Sequence, residues 1–325
     1  MKKAVKIIVI LIIIVLVMIG ALLSYVKFAL PDIAKAPDLK IEITPARVER
    51  GKYLANHVTQ CVDCHTKRDF TKFAGPIDHQ KLGEGGERFD QQNAGLPGVY
   101  YSPNITPFNL RNWTDGEIFR TITTGVNKDG DALFPIMPYP NFGKMDKEDI
   151  YSIIAYIRTL PAIESTAPKS KSDFPMNFII NTIPKDVSLT TIPAPNDDIE
   201  YGRYMINAAG CGECHTPREK GESIPGMEFA GGHEFNFGGV KLTSANITPD
   251  NETGIGNWTQ DVFVSRFKAY GDSALKSHKL KKGEFQTVMP WLQYSGMKEQ
   301  DLKAIYTYLR SLKPVKNQVV KFTAN

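Results

Sequence analysis

The feature that most constrains this 325-residue chain is an internal repeat, because residues near 46–161 and near 196–314 carry the same landmarks in the same order. Arg50-Gly51-Lys52-Tyr53-Leu54 matches Tyr201-Gly202-Arg203-Tyr204-Met205, and Cys61-Val62-Asp63-Cys64-His65-Thr66 matches Cys211-Gly212-Glu213-Cys214-His215-Thr216. Asn104-Ile105-Thr106-Pro107 returns as Asn246-Ile247-Thr248-Pro249, Trp113-Thr114 as Trp258-Thr259, and Met137-Pro138 as Met289-Pro290. Tyr156-Ile157-Arg158-Thr159-Leu160 returns as Tyr308-Leu309-Arg310-Ser311-Leu312. A repeat of this period implies one folding unit used twice.

The pattern within each copy predicts a mainly α unit. Thr44 with Pro45, and Asp197 or Asp198, are helix-start signals. Val48, Gly51 and Leu54/Ala55 then share a face, as do Ile199, Gly202 and Met205/Ile206. Each copy closes on a second helix, with Ile150, Ile153, Ile157 and Leu160 in one and Leu302, Ile305, Leu309 and Leu312 in the other spaced as a buried stripe. Pro161 and Pro314 end them. A glycine turned toward the partner lets opening and closing helices approach closely, with Tyr156 or Tyr308 filling the crossing. The predicted organisation is an apolar N-terminal segment over 1–29, a tether over 30–45, one unit over 46–165, a proline-rich linker over 166–195, a second unit over 196–316 and a tail over 317–325.

The repeated Cys-x-x-Cys-His pentapeptide is the attachment signature of haem c: two cysteines form thioethers to the vinyl groups and the adjacent histidine reaches iron. Cys61, Cys64, Cys211 and Cys214 are the chain's four cysteines, so two haems consume them all. A redox dithiol or half of a zinc site also reads Cys-x-x-Cys. The equivalent placement in two copies, about 150 residues apart, argues against both, because structural zinc ligands come as closely spaced pairs.

Haem iron takes six ligands, and a thioether opposite histidine raises the potential to suit electron transfer. Met137 lies 72 residues after His65 and Met289 lies 74 after His215, each before a proline and just ahead of the closing helix. That matched placement predicts His65/Met137 and His215/Met289 pairs. Competitors for the sixth position are Met145 and His79 in the first copy and Met227, His233, His278 and Met297 in the second, and none is taken to have a counterpart. His57 lies too near Cys61 to serve. Arg68 and Arg218, three residues after each histidine, are candidates for pairing with haem propionates, as guanidinium geometry suits carboxylates. Asn104, Asn246, Trp113 and Trp258 are candidates for donating hydrogen bonds to propionates or walling the pocket.

Residues 7–26 run without a charge. As a helix they reach roughly 30 Å, enough for a bilayer core and longer than the apolar region of a signal peptide. Lys2, Lys3 and Lys6 precede the run and Lys27 follows, which predicts a single-pass anchor in a bacterial inner membrane, N-terminus inside and the haem units on the periplasmic side. Those four lysines account for the net charge of +4, and the remainder balances 35 bases against 35 acids. Nothing in that balance points to nucleic acid. One local excess is the run from Arg266 to Lys282, with Arg266, Lys268, Lys276, Lys279, Lys281 and Lys282 against Asp272. It lies in an insertion: Trp258 to Met289 is 31 positions, against 24 from Trp113 to Met137. It is read as a docking patch for an acidic redox partner.

The order of opening helix, Cys-x-x-Cys-His, Met-Pro loop and closing aromatic helix resembles a class I cytochrome c domain, twice over, across nearly everything after residue 46. More narrowly, Ala245-Asn246-Ile247-Thr248-Pro249-Asp250 followed by Thr253-Gly254-Ile255-Gly256-Asn257-Trp258-Thr259 is similar to the cytochrome c subunits of membrane alcohol and gluconate dehydrogenases. Those subunits typically bear three haem motifs and this chain has two. The resemblance implies a relay carrying electrons between a dehydrogenase or quinol-oxidising complex and an oxidase or soluble cytochrome. The alternative is a dihaem cytochrome c peroxidase-type oxidoreductase, which needs one iron able to open a coordination site; two matched Met-Pro loops argue against it. A thiosulfate-oxidising dihaem cytochrome would use a cysteine as axial ligand, and none is left over.

Overall fold

The computed structural model describes residues 2–219, 221–237, 240–271, 277–281 and 283–324. The first helix, α1, runs Lys2–Phe28 with no buried residue, long and apolar enough to cross a membrane. Then follow α2 (Pro45–Tyr53), α3 (Cys61–Cys64), α4 (Pro107–Leu110), α5 (Asp115–Thr124), α6 (Tyr139–Phe142) and α7 (Lys147–Arg158). After α8 (Met176–Ile179) the order recurs: α9 (Asp198–Ala208), α10 (Cys211–His215), α11 (Gln260–Lys268), α12 (Trp291–Tyr294) and α13 (Glu299–Ser311).

The start signals act as read. Thr44 Oγ1 accepts from the Arg47 amide at 3.3 Å with Pro45 in the first turn, and Asp197 accepts from the Glu200 amide at 3.2 Å. The glycines sit where two helices meet. A Cβ on Gly51 would collide with the Ser152 carbonyl and come within 2.9 Å of Tyr156 Cβ. On Gly202 it would collide with the Ala304 carbonyl and come within 2.9 Å of Tyr308 Cβ. So α2 crosses α7, and α9 crosses α13, at backbone contact. Ile150, Ile153, Ile157 and Leu160 are buried, as are Leu302, Ile305 and Leu309. Ile199 differs from its reading: it stands 45% exposed in the first turn of α9, short of the crossing.

Three small antiparallel sheets border the helices. Strands β1 (Arg88–Asp90), β2 (Gly98–Tyr101) and β3 (Lys171–Ser172) form one, and β4 (Arg218–Glu219) with β5 (Glu222–Ser223) a second. The third joins β6 (Glu234–Phe237), β7 (Val240–Thr243) and β8 (Phe322–Ala324). The linker and the tail, read as irregular, thus each supply an edge strand to a hairpin of the preceding half.

One continuous core spans both halves, from Leu54, Ile150 and Ile154 to Met205, Leu302 and Leu309. Where the halves meet, polar contacts are exchanged reciprocally. Tyr204 donates to Asp149 at 2.6 Å and accepts from the Asp146 amide at 3.2 Å. Tyr53 donates to Asp301 and accepts from the Lys298 amide at 3.0 Å. Arg50 holds Asp149 through two bonds of 2.8 Å, and Tyr201 holds Asp301 at 2.9 Å. His57, taken as a surface or core residue, joins the same seam through Nδ1 to the Gln293 carbonyl at 2.9 Å; Asn207 reaches the Asn141 carbonyl at 3.0 Å in return. Burial above all pushes the Tyr53 and Tyr204 phenols far up, so they remain donors.

Replacing Gly51 or Gly202 with alanine is expected to cost about 1–3 kcal/mol each, the usual penalty for forcing atoms into a packed contact. Thermal unfolding followed by circular dichroism checks this; an unchanged midpoint in both variants would contradict a backbone-level crossing.

Candidate haem sites

Each Cys-x-x-Cys-His segment is a short helix launched from a left-handed residue. Gln60 (φ 55°) precedes Cys61 and Gly210 (φ 65°) precedes Cys211. That conformation turns the chain sharply out of the opening helix. Glycine adopts it freely, whereas Gln60 holds it against a Cβ penalty of about 1–2 kcal/mol. The histidines are then fixed from behind. His65 Nδ1 lies 2.7 Å from the Pro103 carbonyl and His215 Nδ1 lies 2.7 Å from the Ala245 carbonyl. A carbonyl only accepts, so Nδ1 carries the proton and Nε2 keeps its lone pair, as a metal-ligating imidazole requires. The histidine carbonyls are tied too, by Gly85 N–H at 2.8 Å and Gly231 N–H at 2.7 Å. Burial holds both rings below the usual histidine range, which keeps them neutral.

Two cavities open beside these segments. The first, of about 560 Å³, is lined by Cys61, Cys64, His65, Met137 and Trp113. The second, of about 670 Å³, is lined by Cys211, Cys214, His215, Met289 and Trp258. Both fall in the range of cofactor sites, roughly 300–1,000 Å³. The four cysteines are unpaired. Burial, the dominant cause, pushes Cys64 and Cys211 up to about 12 and Cys214 to about 11. These are thiols rather than reactive thiolates, unlike the cysteines of a redox dithiol. Among the described residues no three His, Cys, Asp or Glu side chains gather as a metal site, so zinc finds no ligand set. A histidine nitrogen, two thiols and a thioether facing one apolar cavity fit haem c.

Met137 and Met289 sit in equivalent tight turns, their carbonyls accepting from Tyr139 N–H at 2.7 Å and Trp291 N–H at 2.8 Å. The competitors separate clearly, with one correction. Met145 and Met297 are counterparts of each other, each eight residues beyond the Met of the Met-Pro pair. Both are fully buried core residues; Met297 also touches the wall of the second cavity. His79 is exposed, His278 pairs with Glu284 at 3.1 Å, and neither these nor Met227 and His233 line a cavity.

The other candidates take different places. Trp113 and Trp258 wall the cavities. Arg68 does not line one: it is buried between Glu87 at 3.1 Å and Asp63 at 3.5 Å, the latter inside the attachment segment. Arg218 pairs with Glu213 at 2.7 Å on the surface. Asn104 and Asn246 do line the cavities, but their side chains are committed to structure. Asn104 accepts from Thr106 N–H at 2.8 Å and donates to the Ile163 carbonyl at 2.8 Å. Asn246 accepts from Thr248 N–H at 2.9 Å and donates to the Val315 carbonyl at 2.7 Å. The repeated Asn-Ile-Thr therefore staples the chain after the closing helix to the cavity wall. In the basic run, Arg266 packs 5.4 Å from the ring centroids of both Tyr270 and Trp291, and Lys268 caps the Ser295 carbonyl at 3.0 Å. Asp272, Lys276 and Lys282 lie outside the described residues. The insertion also clasps the first half, with Leu280 N–H to the Thr71 carbonyl at 3.0 Å and Phe73 N–H to the His278 carbonyl at 3.1 Å.

Two consecutive residues, not anticipated from sequence, connect the sites. Gln293 donates to Asp63 at 2.5 Å, between Cys61 and Cys64, and Tyr294 donates to the Ala209 carbonyl at 2.5 Å, two residues before Cys211.

Comparison with known proteins agrees with this geometry: the cytochrome c family model matches residues 199–313. That match runs from α9 to just past the end of α13. Over more of its length the chain is similar to cytochrome c subunits of dehydrogenases. It is 30% identical over 303 residues to that of the quinone-dependent alcohol dehydrogenase of Komagataeibacter europaeus, covering 87% of this chain and 58% of the relative. It is 30% identical over 318 residues to that of gluconate 2-dehydrogenase of Pantoea cypripedii, covering 91% of this chain and 65% of the relative. A dihaem c-type cytochrome of Cereibacter sphaeroides is 25% identical over 260 residues, with 77% and 81% covered. The chain thus spans less than two thirds of the dehydrogenase subunits it matches. Seen beside this cytochrome c domain, the first cavity has the same donor types in the same order.

Removing Arg68 leaves Asp63 and Glu87 buried and uncompensated, so Arg68→Met is expected to cost about 3–5 kcal/mol. Arg218→Met, at an exposed pair, should stay within about 0.5 kcal/mol. Denaturant unfolding of the two variants compares them directly; equal losses would show that Arg68 is not the internal counter-ion described.

Proposed function

We propose that the chain is a membrane-anchored dihaem cytochrome c, built from two tandem class I cytochrome c units over residues 46–165 and 196–316, that relays electrons. The observation that carries this reading is the duplicated donor set: one Cys-x-x-Cys-His segment and one Met-Pro methionine line each of the two cavities. Haem c, once attached, supplies a one-electron couple. The protein's own residues do the rest. Cys61, Cys64, Cys211 and Cys214 would hold the two groups covalently, and His65 and His215 are presented by their carbonyl partners with Nε2 free. Met137 and Met289 would each offer a thioether sulfur to the iron, which would favour the reduced state. Met ligation on both sides of the repeat leaves no position for a substrate, which supports a relay over turnover.

The helix Lys2–Phe28 supports anchoring in the inner membrane with the haem units on the outer face, given lysines 2, 3 and 6 at its start. The relatives named as subunits of alcohol and gluconate dehydrogenases support a dehydrogenase as donor, with an oxidase or soluble cytochrome as acceptor. Gln293, bonded to Asp63 in the first attachment segment, and Tyr294, bonded to Ala209 just ahead of the second, would provide a short bonded path between the two centres.

Haem quantitation and absorption spectroscopy on the full exported chain test this. Two haems per chain are expected, both low-spin, with the methionine-to-iron charge-transfer band present. Met137→Ala and Met289→Ala should each remove about half of that band and lower one potential, since the thioether is what raises it. One haem per chain, or an iron that is five-coordinate at rest, would refute the relay.

A further inference from the structure

The linker contains an apolar segment, Phe174-Pro175-Met176-Asn177-Phe178-Ile179-Ile180, whose two faces do different things. Its inner face, Asn177 and Ile180 with the neighbouring Asn181, lines the first cavity together with Lys27 from the end of α1. Its outer face is left in solvent: Phe174 is 77% exposed and Ile179 43%, with the Phe178 ring edge-on to Phe174 at 6.3 Å. The segment is not free to swing. Asn181 Nδ2 donates to the Val26 carbonyl at 3.1 Å, satisfying one of the orphan carbonyls at the end of α1. At its other end Asp173 N–H donates to the Pro97 carbonyl at 3.1 Å, beside the sheet that Lys171 and Ser172 join. The tether runs past it too, with Ala34 N–H bonded to Asp186 at 3.1 Å.

An exposed Phe174, with the half-buried Phe178 ring against it, pinned to the last turn of a membrane helix has one environment that suits it. Tyr25 and Phe28, 58% and 85% exposed, already place aromatic rings at that level of α1. Aromatic side chains concentrate where hydrocarbon meets head groups, and short amphipathic segments lie there with their apolar face down. Continuity with α1 therefore identifies the occupant of this face as lipid rather than a protein partner. We infer that residues 174–180 form a second, interfacial membrane contact, which fixes the rim of the first cavity, Lys27, Asn177 and Asn181, at the lipid surface. The two centres are then unequal despite their matched ligands: the first is membrane-proximal, and the second reaches the membrane only through it. This rests on the reading of α1 as an anchor.

The test uses the full haem-loaded chain in vesicles of phosphatidylethanolamine and phosphatidylglycerol. The photoreactive residue p-benzoylphenylalanine replaces Phe174, Phe178 or, for comparison, the exposed Ile224 of the other half. Flotation with the vesicles is read first, and lipid adducts on tryptic peptides are read by mass spectrometry after illumination. Expected are flotation, two haems per chain in all three variants, and at least tenfold more lipid adduct at 174 and 178 than at 224. Flotation with equal adduct at all three positions overturns the interfacial contact while leaving the anchor intact. Loss of flotation in the unsubstituted chain overturns the anchor, and this inference with it.

Discussion

The close crossing of opening and closing helices is the constraint on which the rest depends. At Gly51 against Ser152, and at Gly202 against Ala304, backbone meets backbone. Any side chain at either glycine would push the helices apart by the width of a methyl group or more. The attachment segment begins at Cys61, soon after α2 ends at Tyr53, and at Cys211, just after α9 ends at Ala208, so it inherits their placement. The Met-Pro loop leads through the short α6, or α12 in the second copy, to the closing helix. Histidine and methionine can face each other across one cavity only if the two helices that carry them keep a fixed separation. A residue with no side chain thus sets the spacing between a histidine and a methionine that line one cavity.

The second organising feature is the seam between the halves, where each sends a tyrosine to the other's closing helix. Asp149 and Asp301 both occupy the third position of those helices, where unsatisfied amides make a carboxylate welcome. Each also accepts from a phenol across the seam and from a residue of its own half, Arg50 or Tyr201. Buried carboxylates with two or more donors are tolerated, whereas one stripped of its partners is costly. The seam therefore joins the halves through directional bonds as well as a shared apolar core, and rigid juxtaposition is what electron exchange between neighbouring centres needs.

Sequence revealed whatever repeats and is local: the two pentapeptides, the Met-Pro loops, the helix starts at Thr44 and Asp197, and the glycine crossings. It failed where a role depends on partners far along the chain. Arg68 read as a cofactor contact because its position after His65 is matched by Arg218, yet Glu87 and Asp63 hold the first and only Glu213 the second. Asn104 and Asn246 read as propionate donors or cavity wall; they do wall the cavities, while their donor groups reach carbonyls 59 and 69 residues away. Tyr53 and Tyr204 are visible as a matched pair, but nothing local says they cross to Asp301 and Asp149. Two signals were present and passed over: the eight-residue step from each Met-Pro methionine to Met145 and Met297, and the equivalence of Gln60 with Gly210. The latter marks a left-handed residue that only the second copy encodes with glycine.

Duplication with matched donor residues produces two similar cavities, and similarity alone gives no direction. Direction has to come from what the copies do not share. The first half carries the linker segment pinned to α1, and the second carries the insertion whose residues 278–280 reach back to residues 71–73. The first addition ties one cavity to the end of an apolar helix. The second spends Arg266 and Lys268 on internal contacts, so its remaining surface is shaped by packing against the first half rather than by charge alone. Between them lie Gln293 and Tyr294, on the turn that follows Met289. A shift of that turn would move the Met289 loop together with the bonds to Asp63 and to Ala209, so the lining of the second cavity and contact with the first attachment segment are mechanically one variable.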